Sequence, residues 1–471
     1  MSTTTLAPRA WRRWLRLLRE AFAGGERDYT SEAIPRAIIL LAVPMVLEML
    51  MESVFALVDI VWVSRLGTDA IAAVGLTEGM MAILYALAIG LGQGATAMVS
   101  RRVGEKDTDG AAVAAVHAVV LAVLVSLAIA IPAGLAAADL LRLMGASPEL
   151  IAGGAGYTRV MMAGNATILL LFVMNAVFRG AGDATRAMWV LWLANGINLV
   201  LDPCLIFGWG PFPELGLTGA AVATTIGRGT GVLWQLWLLG RGTGTVHVRR
   251  RHLAIRWSVL ARLLRISLGG IAQYLIATAS WVVLVRLVSS FGSAAVAGYT
   301  VAIRIVIFCL EPSWGVANAA ATLVGQNLGA GRPDRAEAAV WRTAWYNAAF
   351  LAVIAVAFVV WSRPLVAAFG GEPDVVAYGA ACLRILAYGY GFYAFGMVVV
   401  NAFNGAGDTM TPTWINVLCY WLFQLPLAWA LAHRSGLGAD GVFLSIPVAE
   451  SLMTLVAIMV FRRGRWRHRR V

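Results

Sequence analysis

The chain alternates between long apolar runs and short polar connections. The runs lie near residues 37–63, 70–99, 111–133, 150–177, 186–207, 215–239, 263–289, 294–325, 338–361, 376–403, 411–432 and 440–461. Each reaches the roughly 20 residues that carry a helix across the hydrocarbon core of a bilayer. Inside that core a backbone must satisfy its own hydrogen bonds, so runs of this length read as helices. Twelve of them predict an all-α polytopic membrane protein with both termini on one side. No polar stretch is long enough for a separate soluble domain.

The pattern repeats. Gly180-Ala181-Gly182-Asp183 returns 225 residues later as Gly405-Ala406-Gly407-Asp408. The same offset aligns Gly67 with Gly292, Ala70 with Ala295 and Gly104 with Gly329. The chain therefore divides into two six-helix lobes, 35–240 and 263–461. Around them lie an amphipathic N-terminal segment (1–34), a basic linker (241–262) and a basic tail (462–471). Six spans return the chain to its starting side, so the lobes are parallel repeats related by a pseudo-two-fold axis along the membrane normal. Such lobes enclose a central cavity, and rocking one against the other gives alternating access.

The polar exceptions inside the apolar runs carry the candidate chemistry. The first span holds Glu48, Glu52 and Asp59. At 100° per residue, Glu52 lies about 40° and Asp59 about 20° from Glu48, so the three share one stripe. An acid at mid-bilayer costs roughly 2.5–3.5 kcal/mol on insertion scales and by default marks an ion path or a paired site. The offset that pairs the lobes puts Gln273, Ala277 and Leu284 opposite these acids, so an ion site belongs to the first lobe. The fifth span, ANGINLVLDPCLIFG, places Asn198 and Asp202 on one face. Pro203 there removes the bond to the Leu199 carbonyl and predicts a kink or opening. An amide, a carboxylate and freed carbonyls are hard ligands suited to Na⁺ or a proton. The alternative is that Asp202 sits at the outer helix end in water. Arg304 and Glu311, seven apart, could meet on one face of the eighth span. The two GAGD segments fall at helix ends, where the aspartates suit N-caps. Loop gating and a GxGD aspartyl protease, which pairs two facing aspartates, are the other readings.

Composition agrees with the pattern. The chain is 60% hydrophobic and 13% charged, against about 45–50% and 25% for soluble domains. The net charge of +12 does not call for nucleic acid. About 26 basic residues fall in one alternate set of connections, namely the N-terminus, 101–106, 179–186, 241–265, 332–335 and the tail, and about four in the other. By the positive-inside rule the multi-pass chain sits in the cell (inner) membrane with both termini cytoplasmic. The linker and tail can also touch anionic lipid. WRRWLRLLREAF forms a basic amphipathic helix on the membrane surface and lacks the features of a cleaved signal peptide. Cys204, Cys309, Cys382 and Cys419 have neither metal-ligand nor disulfide spacing. Segments such as WVLW and WQLW suit interfacial anchors, or an aromatic cavity for cations.

Together, PMVLEMLMESVFALVDIVWVSRLGTDAIAAVG, NAVFRGAGDAT, NGINLVLDP and GLTGAAVAT resemble the multidrug and toxic compound extrusion (MATE) transporters, over residues 33–461. The resemblance is closer to the DinF-like branch than to the NorM-like branch, whose second-lobe acids are matched here by Ala277 and Tyr393. It implies a monomeric secondary transporter, not an enzyme and without a cofactor. Such a protein exchanges H⁺ or Na⁺ for drugs or amphiphilic cations. It also implies a cation site of Asp59, Asn198, Asp202 and Thr224. Glu52 and Glu48 are possible additional cavity acids, and Pro44 is the helix hinge of the proposed cycle. A flippase or exporter of a lipid-linked substrate is the alternative within the superfamily.

Overall fold

The computed structural model describes residues 7–25, 27–242, 244–469 and 471. Residues 1–6 and 26 of the amphipathic segment and Arg470 of the tail lie outside the described residues, as do the side chains of residues 7–11, 13 and 14. Helix α1 (Ala7–Ala23) precedes the bundle. The first lobe comprises α2 (Ile34–Ser64), α3 (Thr68–Gly104), α4 (Thr108–Leu135), the short α5 (Ala137–Leu143), α6 (Pro148–Ala163) with α7 (Asn165–Gly180), α8 (Ala184–Phe207) and α9 (Leu217–Arg241). The second comprises α10 (Trp257–Ser289), α11 (Ser293–Gly329), α12 (Pro333–Ala367), and α13 (Pro373–Ala387) with α14 (Tyr390–Gly405). It continues with α15 (Met410–Asn416), a wide-turned segment Val417–Gln424 leading into α16 (Leu425–His433), and α17 (Ala439–Arg462).

Among the described residues, nine single helices and two bent pairs are long and apolar enough to span a membrane. The remaining span, sixth in chain order, is α9. Its glycines, threonines and Arg228 dilute its hydropathy, yet at 25 residues it is long enough to cross and it packs along α8. The fourth and tenth spans, continuous in the apolar pattern, are broken by bends of 41° and 62°. At the second break a Cβ on Gly389 would stand 2.5 Å from the Pro447 Cβ, so glycine admits α17 against the corner. Pro203 does not open α8, which continues to Phe207. It lies so near the C-terminal end that the helix continues only four residues past it. Likewise α2 is continuous through Pro44.

The lobes meet along α2 with α11 and α3 with α10. At the end of the bundle where both termini lie, the seam is tight. A Cβ on Gly104 would sit 2.0 Å from the Gln326 carbonyl oxygen, and one on Gly329 would sit 2.1 Å from that of Arg101. Gly104 and Gly329 are the repeat-related ends of α3 and α11, so the two lobes offer each other the same small-residue contact. Side chains then reach across to free helix-end carbonyls. Gln326 Nε2 donates to Gly180 O at 3.0 Å, Thr322 Oγ1 to Arg179 O at 3.1 Å, and Arg101 Nη2 to Arg469 O at 2.9 Å.

The termini reinforce this seam. The last turn of α1 docks on the bundle: Ala21 is buried, and Thr185 Oγ1 donates to its carbonyl at 2.8 Å. The following turn carries Asp28, whose carboxyl the Thr30 hydroxyl at 2.5 Å holds below the usual carboxylate range. The carbonyls of Thr30 and Glu32 accept from Arg332 and Arg335 of the other lobe. In the tail, Trp466 stacks on Phe461 with centroids 4.5 Å apart, and Arg469 pairs with Asp408 at 2.9 Å. The seam is thus closed at this face.

Replacing Gly104 by leucine should part the seam. In a background freed of native cysteines, a Thr322→Cys probe should react with a soluble maleimide at least tenfold faster when Gly104→Leu is added. Equal rates would show that the glycine contact does not hold this face shut.

Candidate functional site

The acid stripe of α2 faces α8 and α9, and the structure divides it by depth and by charge. Glu48 is 1% exposed, with Oε1 accepting from Arg179 Nη1 at 2.6 Å and from Asn175 Nδ2 at 2.9 Å. Gln235 Nε2 in turn donates to Asn175 Oδ1 at 2.5 Å. One turn further, Glu52 Oε1 meets Arg228 Nη2 at 3.0 Å, and its Oε2 accepts from Asn195 Nδ2 at 3.1 Å. Both acids are therefore answered by guanidinium groups, that of Arg228 buried and that of Arg179 half-buried. The Arg228 guanidinium also lies 5.7 Å from the Phe55 ring.

Asp59 lies about 16 Å along the helix from Glu48, at 1.5 Å per residue, toward the face away from the termini. Its Oδ1 is buried and has no hydrogen-bond partner among the described residues. Opposite it, α8 presents Asn198 and Asp202 and α9 presents Thr224, all three buried. With the Asn198 amide assigned from its neighbours, its nitrogen donates to Asp202 Oδ2 at 2.7 Å and its oxygen accepts from Thr224 Oγ1 at 3.1 Å. Asp202 is fully buried, so it does not sit in water at the outer helix end. Asp59 is close enough for the two carboxylates to interact. Neither makes an ion pair among the described residues. The buried Tyr157 of α6 lies within electrostatic reach of both acids and of Glu78.

An aromatic cluster roofs this pair on the far side. Trp62 meets Phe207 at 6.2 Å and Trp209 at 5.9 Å, and Arg65 lies 4.7 Å over the Trp62 ring. What the arrangement can do follows from its donors. Two carboxylates, an amide oxygen and a hydroxyl are hard ligands in a site shielded from water, able to take up a proton or Na⁺.

The four residues Asp59, Asn198, Asp202 and Thr224 thus come together, whereas Glu48 and Glu52 lie deeper, in separate ion-paired networks. Arg179, Arg228, Asn175, Asn195 and Gln235 were not legible as partners, because they come from three different helices. The expected pairing of Arg304 with Glu311 does not form. Ser53 of α2 donates to Glu311, and Arg304 acts on Glu78. The GAGD aspartates do structural work of two kinds. Asp183 caps α8 through the Arg186 N–H and pairs with the Arg186 side chain at 2.6 Å. Asp408 falls one residue before the cap and instead accepts from the Thr411 hydroxyl at 2.8 Å and pairs with Arg469. The tryptophans of WVLW donate to backbone carbonyls, Trp189 to Phe22 of α1's last turn and Trp192 to Leu47 of α2.

The MatE family model matches residues 44–204 and 271–430. "Probable multidrug resistance protein YoeA" of Bacillus subtilis is 26% identical over 446 residues, covering 94% of this chain and 96% of that one. An FAD transporter of Shewanella oneidensis is 26% identical over 440 residues, covering 92% and 95%. Among solved structures, an outward-facing conformation of a multidrug resistance MATE family transporter of the MOP superfamily superposes with a TM-score of 0.86. It is 28% identical and covers 93% of this chain and 97% of that one.

Breaking a buried ion pair from one side costs about 3–5 kcal/mol, because the remaining charge stays buried. Arg228→Leu should therefore lower thermal stability in detergent far more than the double variant Arg228→Leu/Glu52→Leu. Similar losses in both would mean that the pair is not coupled.

Proposed function

The chain belongs to the MatE family of transporters, and from that premise we propose that it exports small amphiphilic cations from the cell in exchange for H⁺ or Na⁺. The observation that carries this reading is the contrast along α2. Glu48 and Glu52 are neutralised by arginines, while Asp59 stands without an ion pair against Asn198, Asp202 and Thr224. A family of transporters leaves no room for the aspartyl-protease reading of the GAGD repeats.

In this scheme the terminus-bearing face is cytoplasmic, as the distribution of arginine favours. With the seam closed there, the first-lobe site is reached from outside. A proton or Na⁺ neutralises Asp59 and Asp202, and the mutual repulsion of the two acids is relieved. Helix α2 then bends at Pro44, which lacks the N–H for a rigid turn, and the first-lobe cavity narrows and expels its cargo. The lobes then rock, opening the seam for ion release and reloading. Each pH unit supplies about 1.36 kcal/mol per proton, and each charge crossing 100 mV about 2.3 kcal/mol. One or two ions per cycle support roughly 10–100-fold accumulation.

The FAD-transporting relative makes an anionic cargo the second reading, alongside a lipid-linked one. It is weaker here, because the arginines of the first lobe, Arg179 and Arg228, already hold Glu48 and Glu52. The uncompensated groups are acids.

Two results are expected from everted vesicles with pH and Na⁺ gradients imposed separately. One gradient should drive efflux of an organic cation, and Asp59→Asn or Asp202→Asn should cut that coupled efflux at least tenfold. Undiminished coupled transport in Asp59→Asn would sink the scheme. Pro44→Ala should slow turnover while leaving cargo affinity within about threefold, since a hinge affects movement more than contact. A large loss of affinity with normal turnover would place Pro44 in the binding surface instead.

A further inference from the structure

The second lobe holds a polar focus that this scheme does not use. Glu450 of α17 is 8% exposed, and its Oε1 accepts from the Tyr420 hydroxyl at 3.0 Å. Its Oε2 has no hydrogen-bond partner among the described residues, and neither has the buried Tyr390 hydroxyl. Both residues line one half-open pocket, walled also by Trp281, Leu310 and Tyr393. Buried polar atoms without partners are rare, and two of them on one pocket wall point to something that is meant to meet them.

The repeat explains why no cation of the chain fills that place. Gly219 of α9 and Gly441 of α17 each press against the helix before them, at Leu205 and Leu431. Aligning these contacts carries Arg228 onto Glu450. In the first lobe the arginine is answered by Glu52; in the second, the position of Glu52 is Ala277 and the arginine has become a carboxylate. The charge is inverted and no guanidinium answers it. Tyr420 occupies the place of Asn195, so each hydrogen-bonds the acid of its own lobe. It lies in the wide-turned segment Val417–Gln424, and such π-helical turns occur frequently at functional sites.

We propose that this pocket binds a small monovalent organic cation, a quaternary ammonium or protonated amine. Glu450 serves as counter-ion, and Tyr390, Tyr393 and Trp281 are the aromatic walls. Aromatic faces attract such cations most strongly where water is excluded, and a carboxylate in the same pocket supplies the opposite charge. The site is separate from Asp59 and Asp202 and lies in the other lobe. Only the chemistry of its cargo rests on the export reading above.

The test is equilibrium binding of ethidium to the full-length protein in detergent at pH 7.5, followed by fluorescence. The uncharged N-phenyl-1-naphthylamine serves as a parallel probe. In an Asp59→Asn/Asp202→Asn background, Glu450→Gln should weaken ethidium binding at least tenfold and leave the neutral probe within about twofold. Unchanged ethidium affinity, or equal loss of both probes, overturns the proposal. The first result leaves Glu450 a carboxyl beside water, and the second leaves it a packing residue. Should Glu450→Gln not fold, Trp281→Leu at the half-buried pocket wall gives the same reading. About fivefold weaker ethidium binding supports the pocket, and unchanged binding rejects it. Failure of the coupling scheme would appear instead as gradient-driven efflux that survives Asp202→Asn, a readout independent of this one.

Discussion

A carboxylate inside a bilayer persists only where something answers its charge, and the way this chain answers its acids organises the first lobe. Glu48 and Glu52 are met by Arg179 and Arg228 from α7 and α9, with Asn175, Asn195 and Gln235 adding hydrogen bonds. These networks bind α2 to three helices of its own lobe. Asp202 is held by the Asn198 amide, itself bonded to the Thr224 hydroxyl, and Asp59 Oδ1 has no hydrogen-bond partner among the described residues. The first lobe therefore contains ion-paired acids in its interior and, toward the far face, two acids without an ion pair among the described residues. The division is one of depth, with the paired acids nearer the middle and the unpaired ones nearer the face away from the termini.

The seam between the lobes obeys a different constraint. Lipid gives no hydrophobic drive for helices to associate, so close backbone approach and interhelical hydrogen bonds must do it. Gly104, Gly329, Gly325 and Gly315 bring α3, α11 and α2 into backbone contact, and Gln326, Thr322 and Arg101 reach to carbonyls that helix ends leave free. Both termini are built into the same closure. The chain segments that a hydropathy plot treats as flanking tails thus become parts of the closed seam.

The two lobes share architecture but not chemistry. Their long interface helices, Thr68–Gly104 and Ser293–Gly329, have 37 residues each and begin after glycines with φ of 102° and 99°. Against that frame, the first lobe places acids on its first helix and an arginine on its last. The second lobe places Ala277 and Leu284 on its first helix and Glu450 on its last. Repeat symmetry fixes where a polar group can be held, while the side chain at each position decides what it attracts.

Much of this was legible in the chain. Helix number and lobe repetition follow from run length and the 225-residue offset, because the bilayer imposes both a minimum length and internal hydrogen bonding. The stripe of Glu48, Glu52 and Asp59 and the pair Asn198 and Asp202 follow from helical periodicity, which is a local property. What the chain could not reveal was which acid has a counter-charge. Arg179 and Arg228 stand 131 and 176 residues from Glu48 and Glu52, and no periodicity reaches across helices. The same holds for the broken fourth and tenth spans and for Glu311, which accepts from Ser53 of α2 and does not pair with Arg304. In the sequence Glu450 is a lone charge in an apolar run, and only the fold forms the pocket around it. Sequence determined which helices carry charge and on which face; only packing decided which charges cancel and which remain.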